Sequence, residues 1–232
     1  MKTIGLIGGM SWESSLEYYR IVNEVVKEKL GGLHSAKCIM YSVDFDEIAT
    51  HQRQGKWDEA TDLMIDAAQR VEKGGADFFL ICTNTMHLMA DEVANHVTIP
   101  LIHIVDVTAE AIEEQGIKTI GLLGTKFTME EDFYKGRLIK NHGLEVLIPE
   151  EEEERDIIHD IIFSELCLGT IKQSSRDRFI AVMEKLAARG AEGIILGCTE
   201  IGFLTSDEDS PVPLFDTTKI HAEAAALLAL ND

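Results

Sequence analysis

Two short stretches of this sequence hold the residue types that proton-transfer chemistry needs. Cys82-Thr83-Asn84-Thr85-Met86-His87 follows the apolar run Phe78-Phe79-Leu80-Ile81, and Gly197-Cys198-Thr199-Glu200 follows Ile194-Ile195-Leu196. A thiolate is a strong nucleophile and a usable base, and a cysteine at a helix N-terminus has a lowered pKa. Cys198 therefore reads as the best base or nucleophile in the chain, partly thiolate near neutrality. Glu200 would either orient it or cap a helix. Asn84, Thr85 and Thr199, together with helix N-terminal N–H groups, are suited to cradling a carboxylate. Asn84 or Thr85 would serve equally as a helix cap, and His87 reads as a structural helix residue.

The other motifs narrow the chemistry. Gly5, Gly8 and Gly9 form G-x-x-G-G, which matches neither the dinucleotide fingerprint nor a Walker A loop. The functional reading of that turn is a set of backbone N–H groups near a carboxylate, and the structural reading is a tight strand-to-helix turn. Met10 follows it at the expected pocket rim, where it would touch substrate. Cys38, Cys82, Cys167 and Cys198 are scattered, with no C-x-x-C pair for zinc or a dithiol centre. No metal and no cofactor are expected. Cys38, within a strand, and Cys167, late in a helix, read as packing thiols.

The elements that must position these residues alternate. Strands are expected over residues 4–7, 37–43, 78–82, 99–105, 119–124, 144–148 and 193–197. Helices fit over 14–30, 57–73, 153–166 and 175–189, the first two halted by the glycine pairs Gly31-Gly32 and Gly74-Gly75. Strand and helix in alternation mean a largely parallel sheet covered on both faces. The acidic run Glu150 to Glu154 falls at a helix start, where negative charge is favourable.

A repeat lies over this pattern. Thr3-Ile4-Gly5-Leu6-Ile7-Gly8 matches Thr119-Ile120-Gly121-Leu122-Leu123-Gly124. The segment from Val71 to Ile81 matches Leu186 to Leu196 in pattern, and Ile99-Pro100-Leu101-Ile102 matches Val212-Pro213-Leu214-Phe215. Three matches in nearly constant register imply an α/β chain of two similar three-layer αβα domains, with parallel sheets related by pseudo-two-fold symmetry. The expected boundaries are 1–98 plus 209–232 for the first domain and 99–208 for the second. Ligand sites lie beyond the carboxyl ends of such strands, so the active site is expected between the domains. The repeat pairs Thr83 with Cys198 and Asn84 with Thr199, and leaves Cys82 opposite a glycine. Side chains alternate along a strand, so Cys82 is expected to point away from Thr83.

At Cys82 to His87 and Gly197 to Ile201 the sequence resembles the cofactor-independent aspartate/glutamate racemase family, over essentially its whole length. It looks closest to the enterobacterial-type broad-specificity amino-acid racemases. Other matching stretches are Ile4 to Ser14, Ser42-Val43-Asp44-Phe45, Gly121 to Thr125 and Phe163 to Gly169. The resemblance implies one catalytic residue per domain, normally a cysteine, with substrate between them. Here the position before Asn-Thr is Thr83, with Cys82 one place early. The arginine that some aspartate racemases place near Phe45 for the distal carboxylate is missing, as is the lysine near Cys167. Gln52 stands as a neutral replacement that would admit several side chains.

Racemisation needs Cα–H removed on one face and returned on the other. The expected roles are Cys198 as thiolate base and Thr83 as proton donor from the opposite face, directly or through water. Asn84, Thr85 and Thr199 would hold the α-carboxylate, and Met10 and Gln52 the rest of the substrate. Thr83 is a far poorer base than a thiol, so the two directions should be kinetically unequal, with the L enantiomer deprotonated by Cys198. The alternatives are a related dicarboxylate decarboxylase or cis-trans isomerase, and a non-catalytic carboxylate-binding protein.

Composition sets the outer limits. The chain has 232 residues with 21 Lys plus Arg against 41 Asp plus Glu, a net charge of -20. That excludes the basic footprint a nucleic acid or anionic membrane surface needs, and no apolar run approaches a membrane span. The expected setting is cytoplasmic, the expected partner a small amino-acid substrate, and the expected assembly a homodimer.

Overall fold

The computed structural model describes residues 1–231. The chain divides into two compact units: Met1–Ile104 with the chain from His221 onward, and Val105–Ile220. In the first unit the elements run β1 (Ile4–Gly8), α1 (Trp12–Leu30), β2 (Cys38–Ser42), α2 (Phe45–Gln54), α3 (Trp57–Lys73), β3 (Phe78–Ile81), a 3-10 turn (Thr85–Met89) and α4 (Ala90–Asn95). Helix α5 (Ile104–Glu114) carries the chain into the second unit. There follow β4 (Thr119–Gly124), α6 (Lys126–Glu130), α7 (Asp132–His142), β5 (Glu145–Leu147), α8 (Glu152–Ser164), α9 (Gln173–Ala188), β6 (Gly193–Gly197), α10 (Ile201–Leu204) and β7 (Leu214–Asp216). Helix α11 (Thr217–Leu230) brings the chain back.

Both sheets are parallel and share one order. The first is β2-β1-β3, extended by an isolated parallel bridge from Phe79 to Leu101. The second is β5-β4-β6-β7. Leu101 thus occupies the edge position that β7 fills in the second sheet, and the sequence repeat is a repeat of topology. The expected strand over 99–105 is reduced to this bridge, because Ile104 already opens α5.

Edge pairing also explains where the units divide. Leu101 sits on β3, with Phe79 N–H donating to Pro100 O and Ile102 N–H to Phe79 O, which keeps residues 99–102 in the first unit. Leu214 to Asp216 pair with β6 and stay in the second. The crossings therefore fall at Ile104/Val105 and Ile220/His221 rather than at 98/99 and 208/209.

Alternation along the strands builds the first unit's core. Ile4, Leu6, Phe78, Leu80 and Cys82 pack on α1 and α11 through Tyr18, Val22, Ala222 and Ala226. Ile7, Phe79 and Ile81 face Ile48, Met64, Ala68 and Val71 of α2 and α3. In the second unit Leu123, Ile194 and Leu196 meet Ile158, Ile162, Phe179 and Met183 of α8 and α9. The first helix after each β-turn is capped alike: Ser11 accepts from Ser14 N–H, and Thr125 from Thr128 N–H. The acidic run leads into α8, with Glu152, Glu153 and Glu154 in its first turn. Among the described residues no helix is long and apolar enough to cross a membrane.

Candidate active site

The first half of the site begins where β3 ends. Cys82 N–H donates to Ile7 O, and Thr83 N–H turns back to Ile81 O at 2.9 Å, so the chain leaves the sheet in a tight turn at Thr83. Cys82 continues the alternation of Phe78 and Leu80 into the core, fully buried, and burial pushes its thiol pKa far up. It is a packing residue. Thr83, Asn84 and Thr85 are all buried on the turn itself. The turn leads into a short 3-10 segment rather than a regular helix, and Asn84 does not cap it through its side chain. The expected helix-dipole cradle is therefore weaker than the sequence implied, since only α4, six residues long, follows.

Two expected binding residues, Gln52 and Met10, come together with Met86 beside this turn. Gln52, near the end of α2, is buried, and its amide N–H donates to Met86 Sδ at 3.1 Å. Its Oε1 is buried without a hydrogen-bond partner. Met10 and Met86 share one apolar cluster with Ile48, so Met10 is a core side chain, 3 % exposed, rather than a residue of an open rim. The glycine turn is structural in its hydrogen bonding: Gly9 N–H donates to Ser15 Oγ at 2.7 Å. Gly9 has φ +97, and a Cβ there would stand 2.3 Å from Val43 O, so only glycine fits.

The second half begins at Gly197, the last residue of β6, where an added Cβ would lie 2.9 Å from Leu123 O. Cys198 follows, partly exposed. Its Sγ–H donates to Glu200 Oε2 at 2.9 Å, and Thr199 Oγ1–H donates to the same oxygen at 2.8 Å. Glu200 is 1 % exposed. Thr199 thus directs its hydroxyl proton at Glu200.

Electrostatics reverse one expectation. The helix after Cys198 is the single turn α10, with Glu200 at its N-cap, too short to lower a thiol pKa appreciably. Burial raises the Cys198 pKa well above its ordinary value, with the Glu200 charge and Cys167 adding to the rise. Cys198 is therefore a protonated thiol at rest, and its proton is already directed at a carboxylate. Glu200, expected only to orient Cys198 or cap a helix, accepts hydrogen bonds from both Cys198 and Thr199; its spacing of two after the cysteine is the signal in the sequence. Cys167 lies in a short 3-10 turn after α8, not late in a regular helix.

A partly exposed thiol beside a buried carboxylate acceptor thus stands at one strand end, and a turn of buried hydroxyl and amide residues stands at the equivalent strand end of the other α/β unit. Comparison with known proteins names the class. The profile of the Asp/Glu/hydantoin racemase family matches residues 7–225, and the chain belongs to that family. It is 24% identical over 228 residues to the broad-specificity amino-acid racemase RacX of Bacillus subtilis, covering 95% of each chain. The crystal structure of a candidate Asp/Glu racemase from Yersinia pestis superposes with TM-score 0.92 at 53% identity over 100% of both chains. An aspartate racemase homologue from Pyrococcus horikoshii gives TM-score 0.85 at 36% identity, again over 100% of both.

Proposed function

We propose that this racemase interconverts the enantiomers of small polar amino acids without a cofactor, using Cys198 and Thr83 on opposite faces of Cα. The observation that carries the reading is the Cys198–Glu200 pair, a thiol whose Sγ lies 2.9 Å from Oε2 of a buried carboxylate. Glu200 takes the thiol proton, leaving a thiolate made strongly basic by the same burial that raised its pKa. The thiolate abstracts Cα–H, and the electron pair passes into the α-carboxylate as an enolate. Asn84, Thr85 and nearby backbone N–H groups stabilise that charge. Thr83 O–H then delivers a proton to the other face, and the resulting alkoxide regains one from water. The reading requires that both turns serve one substrate.

Gln52 and the methionines around it support a neutral side-chain pocket, in keeping with the broad specificity of the Bacillus relative. The four free thiols are in keeping with a reducing cytoplasm. Trp12, Leu16 and Tyr19, exposed at helical spacing on α1, support a homodimer formed with a second copy of the chain. NMR-detected α-proton exchange in deuterated water, run over L and D amino acids including neutral homologues of aspartate, tests the function. Exchange with inversion supports it. Tight amino-acid binding without exchange would favour a non-catalytic binding protein, and loss of CO2 from a dicarboxylate would favour a decarboxylase.

A further inference from the structure

Three imidazoles, His87, His103 and His221, are buried together behind the Thr83 turn. His87 Nδ1 is 2.8 Å from Thr83 O, and His87 Nε2 is 3.3 Å from Ile104 N. A carbonyl oxygen only accepts and a backbone N–H only donates, so the ring is neutral with its proton on Nδ1. The same logic orients His221. Its Nε2–H donates to Ile102 O at 2.8 Å, and its Nδ1 accepts from Tyr18 OH at 2.8 Å. His87 stands edge-on to His103 and His221, with ring centroids 4.6 and 5.9 Å apart. Ile104 is the last residue of the first unit on the outward pass and His221 the first on the return. The cluster ties the Thr83 turn to both chain crossings.

We infer that His87 is a positioning residue for Thr83: its Nδ1–H holds the Thr83 carbonyl, and so sets the backbone from which the Thr83 hydroxyl reaches Cα. The inference rests on the racemase reading above. A threonine hydroxyl is a weak acid, so its proton transfer depends on placement far more than that of the thiol. Misplacement of a reacting group by about 1 Å costs on the order of a hundredfold. When the Thr83 step fails, the carbanion is reprotonated only from the Cys198 side. A solvent-exchanged thiol then returns deuterium with retained configuration.

The test is the ratio of inversion to α-deuterium exchange, measured from an L amino acid in deuterated water by NMR and chiral chromatography. An asparagine amide N–H falls near the place of Nδ1 and keeps the donor to Thr83 O, whereas a glutamine amide reaches the place of Nε2. His87→Gln is expected to lower the ratio about tenfold or more while exchange stays within about threefold of wild type. His87→Asn is expected to keep the ratio within about threefold. Parallel loss of exchange and inversion in both variants, or a wild-type ratio in His87→Gln, overturns the role. If His87→Gln does not fold, the asparagine variant decides, since a tenfold fall in its ratio is equally fatal. Wild-type protein that exchanges no α-proton overturns the racemase reading itself, a distinct result.

Discussion

Replacing Glu200 by glutamine separates the chemistry of the Cys198–Glu200 pair from its packing. The isosteric amide fills the same buried volume, and its carbonyl oxygen still accepts one of the two hydrogens now shared by Glu200 Oε2, 2.9 Å from Cys198 Sγ and 2.8 Å from Thr199 Oγ1. What disappears is the ability to accept the thiol proton. A positioned general base contributes about 10²–10⁴ in rate, equivalent to about 2.7–5.4 kcal/mol of barrier. Racemase turnover of Glu200→Gln should fall by that factor. The carboxylate charge also raises the Cys198 pKa, so its removal lets the thiol ionise more readily. Alkylation of Cys198 by iodoacetamide at pH 8, followed by mass spectrometry of its peptide, should therefore speed up by about threefold or more. Activity and thiol reactivity move in opposite directions. Turnover within about threefold of wild type would refute the base role, and alkylation slowed along with turnover would point to collapse of the site.

Four other expectations are open to direct measurement. Cys198→Ala and Cys198→Ser should lose nearly all activity. Cys82→Ala should keep most of it and cost about 1 kcal/mol of stability in chemical denaturation; a folded but inactive Cys82→Ala would mean that the active register is one residue off. From pure L and pure D enantiomers kcat and KM should each differ, their ratio staying equal in the two directions because the equilibrium constant is one; identical kcat values would contradict the unequal acids at Thr83 and Cys198. Neutral His221, fully buried and with its pKa driven down to about 3 by burial, adds a pH-dependent term. The unfolded imidazole takes a proton below about 6.5 while the folded one does not, so stability is whole above that pH and declines as pH falls toward 3. Between pH 7 and pH 5 the loss is about 2 kcal/mol, and it should vanish from the pH dependence of His221→Gln.

The fold was legible because its signals are local and repeated. Continuous apolar runs such as Phe78 to Ile81 mark strands covered on both faces, and the glycines at 31 and 75 sit at the positive φ that ends a helix. The halves of the repeat became sheets of the same order. The strand at 99–105 is reduced to one bridge because α5 already opens at Ile104, three residues after Leu101. At the site, alternation placed Cys82 in the core as expected from its neighbours. Electrostatics were not legible. A cysteine before a helix was read as acidic, but α10 is one turn and burial dominates, which no spacing announces. His87, His103 and His221 come from three separate places in the chain, so their association needed the tertiary structure.

The proposed roles of Cys198 and Thr83, on opposite faces of one carbon, can be separated by substitution. An L amino acid incubated in deuterated water with Thr83→Val tests them most directly. Deuterium should enter Cα with the L configuration retained and almost no D enantiomer formed, while Cys198→Ala should incorporate none. Formation of the D enantiomer by Thr83→Val at the wild-type rate would contradict them.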